Sequence, residues 1–134
     1  MRDASSWERT LLLTRLALEK KACDLVVMDV RGLTSIADYF IICSWRSDRQ
    51  VQSIAHGLEE NSDEHGVRLF AVEGASRGHW VLMDFSDVIV HIFYEPVRKF
   101  YDLDGLWGHA PKAELPEPYS KLVDEFQIAD EQLT

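Results

Sequence analysis

The sequence predicts an α/β domain with a mixed sheet of about five strands flanked by helices. Three observations carry that expectation. Short β-branched and aromatic runs alternate with longer segments of helical periodicity, in the order helix, two strands, helix, three strands, helix, tail. One run, Tyr39-Phe40-Ile41-Ile42-Cys43, is apolar at every position, as suits a central strand covered on both faces. The chain has 134 residues, 46% hydrophobic and 28% charged, which suits one core and requires no disulfide or metal staple.

The elements follow in order. Ser5-Ser6-Trp7-Glu8 has capping-box spacing and opens a helix in which Trp7, Leu11, Leu12 and Leu16 are the apolar positions. It runs to Lys20-Lys21, whose charges complement the helix dipole. Asp24 to Val30 reads as a strand, Arg31 to Ser35 as a turn and Tyr39 to Cys43 as a second strand. Ser47-Asp48-Arg49-Gln50 repeats the cap with Gln, and Val51, Ile54, Ala55 and Leu58 then lay one apolar stripe on a helix ending at His65-Gly66. Val67 to Val72 is a third strand. Glu73 to Gly78 is a loop of small residues, and Trp80-Asp84 and Val88-Phe93 form a hairpin about Phe85-Ser86. Pro96 starts a short helix that carries Val97, Phe100, Tyr101 and Leu103 and closes near Gly105; Phe100 and Leu103 are assigned to the core, which ends there.

Residues 1–107 are therefore read as the domain and 108–134 as an acidic, Pro-containing extension. Pro111, Pro116 and Pro118 predict an extended, loosely attached run. Beyond them Tyr119, Leu122, Val123 and Phe126 recur at helical spacing, as a short amphipathic helix packed on its own chain or on a neighbour.

Charge narrows the partner. Fourteen Lys and Arg against 23 Asp and Glu leave a net charge of −9, which argues against bare nucleic acid and for a basic protein surface. More than half of the excess lies from Ala113 onward, where six acids accompany one base. The domain itself is only moderately acidic, which leaves room for Arg98 or Lys99 to touch nearby rRNA. The N-terminal residues contain no apolar signal-like run, and no stretch approaches the roughly 18 to 20 consecutive apolar residues of a membrane span. The cytosol is the expected compartment, and Cys23 and Cys43 are expected there as buried or half-buried free thiols.

No catalytic, cofactor or metal residue is assigned. His56, His65, His79, His91 and His109 match no zinc spacing. His91, in an apolar strand, reads as a histidine satisfied by a sheet neighbour rather than as a proton donor or ligand. Gly-x-Ser-x-Gly is absent, and the Gly74–Gly78 loop lacks the lysine and the strand-to-helix setting of a phosphate cradle. Asp84 and Asp87 bracket one turn and Asp29 and Asp38 another, whereas two-metal chemistry needs carboxylates converging on both ions. What remains is of interface type. Trp80, Met83, Tyr94, Arg98, Tyr101, Leu106 and Trp107 are assigned to partner binding, because Trp, Tyr, Met and Arg are enriched at interfaces. Trp107 in particular is expected under a partner, a second subunit or the tail.

The blocks Asp29-Val30-Arg31-Gly32-Leu33-Thr34-Ser35-Ile36-Ala37-Asp38-Tyr39-Phe40-Ile41-Ile42 and Ser47-Asp48-Arg49-Gln50-Val51-Gln52-Ser53-Ile54-Ala55 are more specific. So are Glu73-Gly74, the run from Trp80 to Phe93, and Arg98-Lys99-Phe100-Tyr101-Asp102-Leu103-Asp104-Gly105-Leu106-Trp107. In these blocks, in this order, the chain resembles the ribosomal silencing factor family, also called the Iojap family, from Leu12 to Ala110. The resemblance implies a nucleotidyltransferase-like topology without the catalytic carboxylates, and action by binding. It implies attachment to the large ribosomal subunit through ribosomal protein L-fourteen, where the small subunit docks, so that joining is blocked and translation silenced when nutrients are short. It also implies a homodimer in the free state. Two positions depart from the family: Trp45-Arg46 replaces a Gly and a small or polar residue, and Phe85-Ser86 replaces an aromatic or aliphatic residue and Gly. The rival reading is a divergent nucleotidyltransferase-fold enzyme using Asp84, Asp87 or Asp29 with a divalent metal. A module for some other basic protein is the third.

Overall fold

The computed structural model describes residues 5–128. A five-stranded sheet has the order β1-β2-β5-β4-β3, with β1 at Cys23–Asp29, β2 at Tyr39–Trp45, β3 at Ala71–Glu73, β4 at Trp80–Asp84 and β5 at Val88–Tyr94. The helices are α1 (Ser6–Glu19), α2 (Asp48–Glu64), α3 (Glu95–Tyr101), α4 (Leu103–Leu106) and α5 (Tyr119–Glu125). The β2–β5 pair is parallel, in register from Tyr39 opposite Val88 to Trp45 opposite Tyr94, and the remaining pairs are antiparallel. The mixed α/β sheet is therefore as expected.

Local chemistry sets the helix starts. Ser5 Oγ accepts from the Glu8 N–H at 3.1 Å while Glu8 Oε1 accepts from the Ser5 N–H at 2.9 Å, which closes the capping box. At α2, Ser47 Oγ accepts from the Gln50 N–H at 3.2 Å.

The two faces of the sheet are covered differently. Tyr39, Ile41 and Cys43 of β2, with Val88, Val90 and Ile92 of β5, pack under Leu13, Leu16, Ile54 and Leu58 of α1 and α2. Alternate residues, Phe40, Ile42, Ile89 and Phe93, face a second core closed by Leu103, Ala110, Val97 and Trp107. Central strands buried on both sides cannot alternate polar with apolar residues, and β2 and β5 do not.

Four expectations need correction. The third strand is Ala71–Glu73, not Val67 to Val72: it is a short edge strand paired on one side, reached by a connection whose Val67 N–H is donated to Ser62 O. Phe100 is not core. It is 80% exposed, because it lies about 100° round α3 from Tyr101, the residue that meets the sheet through Trp80. Met83 is fully buried. The two-residue period of β4 turns Trp80 and Leu82 to one face and Val81 and Met83 toward α1 and α2, so Met83 presents nothing to a partner. The run after Gly108 is not loosely attached either. Asp29 N–H donates to Pro111 O and Ala113 N–H to Val27 O, both at 2.8 Å, so Lys112 bridges to Met28 along the outer edge of β1. Tyr119, Leu122, Val123 and Phe126 then pack on the α1–α2 side of the same chain. An otherwise bare sheet edge is thereby covered.

Candidate functional site

The covering of the second face builds the site. α3 starts at Glu95, with Tyr94 at its N-cap and Pro96 in its first turn, and Asp102, in the left-handed region at φ 49°, breaks it after Tyr101. The Asp102 carboxylate accepts from the Gly105 N–H at 3.1 Å and caps α4. A two-helix elbow results.

Arg98 ties this elbow to the sheet. Its Nε and Nη2 donate to the two Asp104 carboxylate oxygens at 3.1 and 2.8 Å, and its Nη1 donates to Asp24 O at 2.8 Å and Ser44 Oγ at 2.7 Å. With 13% of its side chain exposed it is a strut, and its assignment to partner binding or an rRNA contact is corrected. Burial pushes the Asp104 carboxyl up, but the Arg98 bonds and charge outweigh it and hold the group below the usual carboxylate range. Lys99 stays on the surface, with Glu95 one helical turn before it at 2.8 Å.

An aromatic layer lies beneath. The Trp80 ring meets Phe93 at 4.9 Å centroid distance and Tyr101 at 5.1 Å, tilted by 31° and 48°, and its indole N–H donates to His91 Nδ1 at 3.1 Å. Trp107 stands edge-on to Phe40 at 5.0 Å, half-buried by its own chain. His91 is accordingly bonded by a sheet neighbour at one nitrogen, while its buried Nε2 has no partner among the described residues. Burial lowers its pKa to about 4, so the ring is neutral. Gly74, Arg77, His79, Trp80, Pro96, Val97, Phe100 and Tyr101 line a groove of about 440 Å³ beside this layer.

Three large apolar side chains of the elbow stand exposed. Phe100 is 80%, Leu106 75% and Tyr101 55% exposed. Of the residues assigned from sequence, Tyr101 and Leu106 are exposed here, Trp80 lies against Tyr101, and Trp107 packs on Phe40 of the second core. Tyr94 packs with the α1–α2 side against His79 and lies elsewhere. Phe100 was missed as a surface residue. The available signal was the Pro96 start, which leaves α3 too short to bury more than one stripe.

Three of the acids bracketing the turns have side-chain bonds, two of them to groups two residues away and one to α1. Asp29 pairs bidentately with Arg31 at 2.9 and 2.7 Å, Asp84 accepts from the Ser86 N–H at 2.7 Å, and Asp87 pairs with Arg9. The Asp38 N–H donates to Asp87 O at 2.7 Å. Among the described residues no three His, Cys, Asp or Glu side chains converge as a metal site would require, and no helix is long and apolar enough to cross a membrane. Cys23 and Cys43 are both buried free thiols, and burial pushes the Cys43 thiol up to about 12.

The class these features define is a small five-stranded α/β domain with an aromatic and aliphatic patch displayed over one sheet face. The model of the family described as ribosomal silencing factor during starvation matches residues 3–132, and the chain belongs to that family. It is 43% identical over 97 residues to the ribosomal silencing factor of Bacillus subtilis, covering 72% of this chain and 82% of that one. Chloroplastic Iojap of Zea mays is 33% identical over 114 residues, covering 85% of this chain and 50% of the maize protein. A crystal structure of a Chromobacterium violaceum protein superposes with a TM-score of 0.74 at 34% identity, covering 85% of this chain and 92% of that one.

Proposed function

We propose that this chain binds the large ribosomal subunit through ribosomal protein L-fourteen, at the face where the small subunit docks, and represses translation by keeping the subunits apart. Membership of the ribosomal silencing factors supports the reading. The observation that carries it is the exposed Phe100, Tyr101 and Leu106 patch on an elbow pinned by Arg98. A rigid support spares the cost of ordering backbone on docking, and a few exposed aromatic and aliphatic anchors can supply most of an interface's affinity. The net charge of −9 suits a basic ribosomal protein and speeds the encounter.

Blocking needs only bulk. A domain of this length has a radius of gyration of about 14 Å, enough to fill an intersubunit contact. In this reading the protein acts in the cytoplasm, is a homodimer when free, and keeps Lys99 as its peripheral rRNA contact. Co-sedimentation of the full chain with purified large subunits on sucrose gradients tests it. Wild type should travel with the subunit, less so as salt rises, and Tyr101→Ala and Leu106→Ala should each weaken binding about tenfold or more. Wild type left at the top of the gradient at low salt overturns the reading. Trp80 and Trp107 are poorer probes, since truncating half-buried rings also costs stability.

A further inference from the structure

We propose that His91 is a positioning residue for the docking patch: by accepting the Trp80 indole N–H it fixes the ring on which Tyr101 rests. The inference rests on the docking reading above and names the buried group that shapes the surface.

An indole N–H can only donate, so Nδ1 of His91 must be the acceptor and the ring proton must sit on Nε2. That nitrogen is buried and finds no partner among the described residues. The flanking positions on this face of β5, Ile89 and Phe93, are apolar. A third apolar side chain would fill the layer and spare the unmatched Nε2–H, but it would offer the Trp80 indole N–H nothing to donate to, so packing alone does not account for an imidazole here. What the imidazole adds is one acceptor, and Trp80 uses it. The same Trp80 ring is in contact with Phe93 below and Tyr101 above, and Tyr101 in turn meets the edge of Phe100 at 5.1 Å. A chain of contacts therefore runs from His91 through Trp80 to two side chains of the exposed patch. Burial keeps the ring neutral, the state in which Nδ1 can accept.

Two substitutions separate positioning from packing. His91→Phe keeps an aromatic ring without the acceptor, and His91→Asn keeps an acceptor close to the Nδ1 position. In the full-length protein labelled with ¹⁵N, the Trp80 indole resonance, assigned by its loss in Trp80→Phe, should move upfield and exchange faster with solvent in His91→Phe. It should return toward the wild-type position in His91→Asn. Affinity for large subunits should fall about tenfold in His91→Phe and in Trp80→Phe, recover to within about threefold in His91→Asn, and fall no further in the double variant His91→Phe/Trp80→Phe. An unmoved indole resonance, or His91→Phe binding within about twofold of wild type, overturns the assignment. Should His91→Phe not fold, the wild-type imidazole ¹⁵N spectrum decides: an unprotonated His91 Nδ1 shifted as a hydrogen-bond acceptor supports the assignment, and a protonated Nδ1 overturns it. Failure of the wild type to bind subunits overturns the docking reading instead, while the indole resonance still reports whether His91 holds Trp80.

Discussion

Arg98→Met removes a guanidinium while keeping most of the aliphatic stem, and so tests whether one ionic strut holds the elbow that carries the patch. In the wild type, four hydrogen bonds leave that guanidinium for Asp104, Asp24 O and Ser44 Oγ, and only 13% of the side chain meets water. Met returns none of them. Breaking a fully buried ion pair by deleting one partner costs about 3 to 5 kcal/mol, because the other charge is left stranded. Asp104 keeps 33% of its side chain in water and can rehydrate, which scales the expected loss to about 2 kcal/mol. Urea unfolding of wild type, Arg98→Met, Asp104→Asn and the double variant would measure it, with a coupling of about 1 kcal/mol or more between the two positions. Subunit binding should weaken in parallel, since α4 and Leu106 would no longer be held. A loss under about 0.5 kcal/mol for Arg98→Met, with additive effects in the double variant, would refute the strut.

Deleting residues 111–134 should uncover the outer edge of β1 and the surface under Tyr119, Leu122, Val123 and Phe126. At roughly 1 kcal/mol for each of these four half-buried side chains, the loss is about 4 kcal/mol, accompanied by a rise in light scattering from edge pairing. An unchanged urea midpoint would show that the segment is an accessory. His91 should give stability a pH dependence of its own. Its folded pKa of about 4 lies below the ordinary 6.5, so between those values the unfolded chain takes up a proton that the folded one refuses. Stability is then full above about pH 6.5 and is lost as pH falls toward 4, by about 3 kcal/mol. Asp29 and Asp104, whose carboxyls are held low, lose their own contribution only at more acid pH. Urea midpoints between pH 4.5 and 7 should slope in wild type and flatten in His91→Phe, and equal slopes would contradict the assignment.

The parts of the fold that sequence reading recovers are those written in short-range chemistry. Ser5 with Glu8 and Ser47 with Gln50 mark helix starts through contacts three residues apart. The unbroken apolar runs of β2 and β5 identify the centre of the sheet, because a strand covered on both sides has no place for polar alternation. Met83 marks the limit: the two-residue period separates it from Trp80 and Leu82, but only the position of α1 and α2 decides which set is buried. Arg98 was beyond local reading altogether. Two of its partners, Asp24 and Ser44, lie 74 and 54 residues away, and nothing in the Arg98-Lys99-Phe100 run distinguishes a strut from a surface cation. The same is true of Lys112 and Ala113, whose alignment with Met28 and Val27 depends on a chain return that no periodicity encodes. Phe100 failed for another reason. Hydrophobicity argues for burial, while a seven-residue helix broken at Asp102 has only one stripe to bury.

The most direct test of the account is light scattering on mixing small subunits with large subunits preincubated with the protein. Wild type at saturation should suppress the joining signal, and a Tyr101→Ala/Leu106→Ala variant that unfolds at the wild-type urea midpoint should restore it. Undiminished joining in the presence of saturating wild type, or full suppression by that variant, would contradict the claim that this patch holds the protein where the subunits meet.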